Sequence, residues 1–130
     1  MKILYIEDTA DKYVAVTRAL GNAGFKDVKR EKNLEDGLYA IEQSVKSNSK
    51  FDVIITDMWY PRESGGPEAQ CGLELAATVK EKGYGIPVII CSNQQYRSED
   101  AFGEVLYSDS RDWGKELLEL VNKAKEATGN

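Results

Sequence analysis

Four short apolar runs punctuate the chain: Ile3–Ile6, Phe51–Ile55, Ile86–Cys91 and the shorter Val105–Tyr107. Within them, Val53-Ile54-Ile55 and Val88-Ile89-Ile90 are continuous and β-branched, without the polar alternation of a strand that has one wet face. Such runs predict parallel strands covered on both sides. Between the runs, apolar residues fall at helical spacing. Tyr13, Val14, Val16, Ala19 and Leu20 share one predicted face; Leu34, Leu38, Ile41 and Val45 share a second; Leu73, Ala76, Ala77 and Val79 share a third. The last helix is the clearest, with Trp113, Leu117, Leu120, Val121 and Ala124 following steps of 4, 7, 8 and 11. Its cap is expected within Asp109-Ser110-Arg111-Asp112, and Gly129 lies just past its end. A weaker segment, Asp27-Val28-Lys29-Arg30, reads as an edge strand.

The order is strand then helix, repeated five times. It predicts a single α/β domain over residues 1–130, a doubly wound, five-stranded parallel sheet with helices on both faces and right-handed crossovers. Two stretches interrupt the rhythm and are expected as surface loops. Pro61–Gly72 carries Gly65-Gly66-Pro67, and Ser92–Gly103 is polar enough that any helix in it would be short.

Composition narrows the chemistry. The 130 residues hold 17 Lys plus Arg against 22 Asp plus Glu, a net charge of −5. That balance argues against nucleic acid or an anionic membrane surface as primary partner. Histidine is absent, which excludes His-based triads and His-ligated metals. Two cysteines, Cys71 and Cys91, are too few for a disulfide framework or a zinc site; Cys91 is expected in the core and Cys71 in a loop. No apolar run is long enough for a membrane span or a secretory signal, so a cytoplasmic location is expected. The chemistry left is that of carboxylates.

In open parallel sheets, ligands bind beyond the carboxyl ends of the strands. The first strand ends in Glu7-Asp8, the third in Thr56-Asp57 and the fourth in Cys91-Ser92-Asn93. A single acidic residue at a strand end is as readily a solvated turn as a site. Three carboxylates at one edge repel one another unless a cation intervenes, and such hard oxygen donors suit Mg²⁺.

At this point the sequence resembles the receiver domain of two-component response regulators, over nearly its whole length. The resemblance rests on Glu7-Asp8 after an apolar strand, on Asp57 in Ile54-Ile55-Thr56-Asp57-Met58-Trp59-Tyr60-Pro61 with its proline four residues on, on Gly72-Leu73-Glu74-Leu75, and on Ile86-Pro87-Val88-Ile89-Ile90-Cys91-Ser92. It implies a flavodoxin-like fold in which Asp57 accepts a phosphoryl group from a histidine kinase or phosphotransfer protein. Asp8, Asp57 and the backbone carbonyl of Trp59 would bind Mg²⁺, with Glu7 acting on its outer shell. Ser92 would hydrogen-bond a phosphoryl oxygen and pass the signal to an unknown downstream protein. The chain would act as a stand-alone module, not a classical enzyme, without touching nucleic acid or membrane directly; a homodimer stays open.

One element of the pattern is missing. The family carries a lysine at the end of the fifth strand, where this chain reads Val105-Leu106-Tyr107-Ser108-Asp109. Tyr107 or Ser108 takes its approximate place, and Arg62, Arg97 and Arg111 are the candidate substitute cations. The gap favours a second reading, a degenerate receiver that binds a partner without being phosphorylated. A third, a Mg²⁺-dependent phosphohydrolase or nuclease using the same carboxylates, is weakened by Trp59 standing where a second aspartate would be expected. The extension between Pro61 and Gly72 lies beside Asp57 and either covers the site, contacts a partner or is a tolerated insertion.

Overall fold

Five of the extended segments pair into one parallel sheet. The computed structural model describes residues 1–128, so Gly129 lies outside the described residues. In chain order the elements are β1 (Ile3–Ile6), α1 (Ala10–Asn22), β2 (Val28–Glu31), α2 (Leu34–Lys46), β3 (Val53–Thr56), β4 (Tyr60–Pro61), β5 (Glu68–Ala69), α3 (Cys71–Glu81), β6 (Val88–Ser92), β7 (Gly103–Leu106) and α4 (Trp113–Thr128). The sheet order is β2-β1-β3-β6-β7, and every pairing in it is parallel. This is the flavodoxin-like, doubly wound arrangement with helices on both faces, and β2 is an edge strand as expected.

Two cores form, one on each face. Leu4, Ile6, Ile54 and Val88 point toward α2 and α3, meeting Leu34, Ile41, Leu75, Ala76 and Val79. Ile3, Tyr5, Val53, Ile55, Ile89, Cys91 and Val105 point the other way, toward Val16 and Leu20 of α1 and Leu117, Val121 and Ala124 of α4. Successive residues of β1 and β3 thus enter opposite cores, which is why those strands read as unbroken apolar runs. Helix α2 is capped by Asn33, whose side chain accepts from the Asp36 amide at 2.8 Å. At α4 the Asp112 carboxylate accepts from the Lys115 amide at 3.2 Å, placing the cap in the expected segment.

Several expectations change. Four helices stand among the described residues where the repeated strand–helix order called for five, because the crossover from β6 to β7 runs without one, in keeping with the loop expected over Ser92–Gly103. Its sequence, Asn93-Gln94-Gln95-Tyr96-Arg97-Ser98-Glu99-Asp100, offers no apolar stripe for a helix to bury. The Pro61–Gly72 extension is not all loop: Tyr60 and Pro61 pair antiparallel with Ala69 and Glu68. Cys71 opens α3 and is buried, and that helix buries Gly72, Leu75, Ala76 and Val79 while Leu73 and Ala77 are only half-covered. On α1, Val14 is 48% exposed, and its expected place in the core goes to Lys12, which shares the buried stripe with Val16 and Leu20.

Candidate functional site

The parallel register brings the acidic residues together. Ile6 pairs with Thr56, so Glu7 and Asp57 leave adjacent strands at the same edge. One carboxylate oxygen from each of Glu7, Asp8 and Asp57 lies within 4.8 Å of the others. Thr56 pairs with Ile90, which puts Ser92 at the end of the neighbouring strand, buried, with its Oγ 3.4 Å from the Gln94 amide.

Glu7 is held on several sides. The Tyr5 hydroxyl donates to its Oε1 at 3.0 Å, and the Thr9 amide approaches Oε2 at 3.3 Å. Burial pushes the Tyr5 hydroxyl far above its ordinary range, so it stays a neutral donor. Arg30 donates from Nε to the Glu7 carbonyl at 3.0 Å and stacks over Tyr13. Burial also raises the Glu7 carboxyl, with Lys12 pulling the other way.

Lys12 is the residue that sequence reasoning missed. Its ammonium donates to Asp57 Oδ1 at 3.0 Å and to the Cys91 carbonyl at 2.5 Å, and it lies 3.1 Å from Glu7 Oε1. The Tyr107 ring covers it, with the centroid 5.4 Å from Nζ, and Trp113 backs that ring at 4.7 Å. Burial works to lower the ammonium, but the carboxylates of Glu7 and Asp57 outweigh it and hold Lys12 above its ordinary range. The signal was in the sequence: Lys12, Val16 and Leu20 are spaced i, i+4, i+8, and Lys12 follows Asp8 by one helical turn.

Two of the candidate arginines are paired with glutamates, and the third lines a different cleft. Arg62 pairs with Glu74, Arg111 with Glu116 at 2.8 Å, and Arg97 is exposed along a neighbouring cleft beside Glu104 and Glu116. The end of β7 supplies an aromatic ring over the lysine instead of a cation of its own.

The segment after β3 is tied down. The Asp57 side chain accepts from the Met58 amide at 2.8 Å, on the same Oδ1 that Lys12 touches. Thr56 Oγ1 donates to the Asp57 carbonyl at 2.8 Å and meets the buried Tyr60 hydroxyl at the same distance, and the Gly72 amide donates to the Met58 carbonyl at 3.0 Å. Trp59 is 37% exposed, and its indole donates to the Tyr96 hydroxyl at 2.6 Å. The β4–β5 hairpin adds an unforeseen carboxyl, Glu68, whose hydrogen bond with Asp8 raises its pKa. Thr9, Lys12, Asp57, Trp59, Glu68 and Tyr107 line a cleft of about 540 Å³.

The donor set fits a hard divalent cation. It offers carboxylate oxygens from three residues, and Asp8 Oδ1 is buried without a hydrogen-bond partner. Cys91, by contrast, is a core residue whose thiol burial pushes up to about 12.

Solved structures share this architecture. The response regulator protein TrrA from Thermotoga maritima, in complex with Mg²⁺-BeF, is 25% identical with a TM-score of 0.72 over 95% of this chain and 99% of that one. TrrA in complex with the histidine kinase ThkA gives 24% identity and a TM-score of 0.70, covering 95% of this chain and 98% of that chain. A CheY-like receiver domain protein from Methanospirillum hungatei JF-1 matches at 18% identity and a TM-score of 0.66, with 97% of each chain covered. Comparison with protein-family models and with curated proteins finds no match. The fold is that of the receiver domains of response regulators.

Proposed function

We propose that this chain is a response regulator receiver domain that accepts a phosphoryl group on Asp57. The observation that carries the proposal is the placement of Asp57 at the end of a central strand, within 4.8 Å of Glu7 and Asp8 and 3.0 Å from a buried ammonium. An Asp57 carboxylate oxygen attacks phosphorus, a new P–O bond forms, and the bond to the donor breaks with its electron pair left on the donor. With a phosphohistidine that leaving atom is an imidazole nitrogen; with acetyl phosphate it is an acetate oxygen. Such transfers need alignment and charge neutralisation more than covalent help from the protein.

Asp8, Asp57 and the Trp59 carbonyl would hold Mg²⁺, with Glu7 acting through its hydration shell. When bound, Mg²⁺ offsets the charge of the carboxylates and of the incoming phosphoryl oxygens. Ser92 contributes a hydroxyl at the end of the adjacent strand, poised for a phosphoryl oxygen. The partners are a histidine kinase or phosphotransfer protein upstream and a protein bound through surface contact downstream. Among the described residues no helix is long and apolar enough to cross a membrane. Lys12 beside Asp57 supports the phosphoacceptor reading over a binding-only role, while the end of β7 carries no lysine.

The test is incubation with acetyl phosphate and Mg²⁺ followed by intact mass. Wild type should gain one phosphoryl group and Asp57→Ala none. An unlabelled wild type, or an adduct that survives in Asp57→Ala, would overturn the assignment.

A further inference from the structure

We propose that Lys12 is the cation that binds the phosphoryl group on Asp57, delivered from helix α1 because the end of β7 offers only Tyr107 and Ser108. This rests on the phosphoacceptor reading and deepens it.

A lysine on the buried stripe of a helix is costly unless its charge is answered. Here each of its three ammonium hydrogens has an acceptor within reach: Asp57 Oδ1 at 3.0 Å, Glu7 Oε1 at 3.1 Å and the Cys91 carbonyl at 2.5 Å. Asp57 is the proposed nucleophile, and Cys91 immediately precedes Ser92. Lys12 therefore bridges the reacting carboxylate and the strand that carries the hydroxyl.

Phosphorylation replaces the single negative charge of Asp57 with about two and adds three acceptor oxygens. An ammonium 3.0 Å from Oδ1 is already placed to turn one N–H toward an oxygen of a phosphoryl group carried by that carboxylate. The Tyr107 ring above Nζ, held by Trp113, limits how far the lysine can swing away into water. Arg62 and Arg111 are committed to Glu74 and Glu116, and Arg97 lies along another cleft. Among the described residues, Lys12 is thus the cation in contact with Asp57.

The competing role is structural, a counter-ion that only holds Glu7 and Asp57 together in the folded state. The two roles separate experimentally. Wild type, Lys12→Met, Lys12→Gln, Lys12→Met/Tyr107→Lys and Asp57→Ala are labelled with graded acetyl phosphate in excess Mg²⁺. Beryllofluoride affinity is read by tryptophan fluorescence at saturating Mg²⁺, and each variant is checked by circular dichroism. Lys12→Gln, neutral and still hydrogen-bonding, serves should Lys12→Met not fold.

Labelling of the folded single Lys12 variants should slow by about 10- to 100-fold, as expected for loss of a charge-assisted hydrogen bond to the reacting group. Beryllofluoride should bind more weakly by a similar factor, and a lysine at position 107 should restore part of the rate. Labelling and beryllofluoride affinity within about twofold of wild type would overturn the role of Lys12 while leaving Asp57 as acceptor. A wild type that takes no phosphoryl group would instead overturn the phosphoacceptor reading, and this role with it.

Discussion

Replacing Gly72 by alanine should damage both the stability and the chemistry of this domain. Gly72 is the second residue of α3, and its amide donates to the Met58 carbonyl, drawing the helix against the segment that carries Asp57. A Cβ built there would stand 2.4 Å from the Asp57 carbonyl oxygen and 2.9 Å from Met58 Cα. Comfortable contact between such atoms lies near ~3.5 Å, so one backbone must retreat by about 1 Å. Both obstacles are main chain, and neither can rotate aside.

Overpacking of this kind costs ~1–3 kcal/mol. At ~2.1 cal/mol/K of unfolding entropy per residue, the 130-residue chain has roughly 270 cal/mol/K, so Tm should fall by roughly 4–11 °C. A shift of about 1 Å in Asp57 should also slow acetyl phosphate labelling by on the order of 100-fold. Gly103→Ala is the control. Its Cβ would meet Leu120 Cδ2 at 2.7 Å, the free end of a side chain that can turn away, so the loss there should be smaller. If Gly72→Ala melted with wild type and labelled at the same rate, the close approach of α3 to Asp57 would not be a constraint, and the reasoning would fail.

Leu117→Ala should destabilise by ~2–5 kcal/mol in a urea titration, because Leu117 is fully buried against the sheet; a change near zero would place it outside the core. Asp57→Asn should weaken Mg²⁺ binding, followed by tryptophan fluorescence, by removing one charged ligand; unchanged affinity would take Asp57 out of the metal site. Both cysteines should resist a thiol reagent in the native protein. With the Cys91 thiol pushed up to about 12, the thiolate fraction at pH 8 is on the order of 10⁻⁴, and rapid labelling without unfolding would contradict its burial.

What the sequence made legible was whatever two buried faces force on it. Ile3–Ile6 and Val53-Ile54-Ile55 had to be central parallel strands because their alternate side chains feed separate cores. The grouping of Glu7, Asp8 and Asp57 followed from the strand ends alone. Lys12 escaped for a physical reason: hydrophobic spacing ranks Val14 above a lysine, whereas the burial of Lys12 is decided by carboxylates arriving from β1 and β3. The arginine candidates all came from loops, whereas the ammonium that contacts Asp57 stands on α1, four residues beyond Asp8. The β4–β5 pairing spans two residues per strand, too short for any periodic pattern, so Glu68 could not be placed near Asp8. The helix-free crossover was half visible, since Ser92–Gly103 lacks an apolar stripe even though the alternation of elements called for a helix.

The split between the two cores also sets an order of assembly on the ribosome. Every buried member of the core under α2 and α3 has been translated once Val88 is made. The opposite core waits for Val105, Leu117, Val121 and Ala124. A nascent chain can therefore consolidate one side of its sheet while the other is still open, in keeping with the N-to-C order in which growing chains fold. The carboxylates Glu7, Asp8 and Asp57 belong to the early part, as does Lys12, but the ring that encloses the lysine arrives only with Tyr107 and its support Trp113. Closure over the acidic site therefore follows the synthesis of its carboxylates, and a chain truncated before Tyr107 would present the same charges to water.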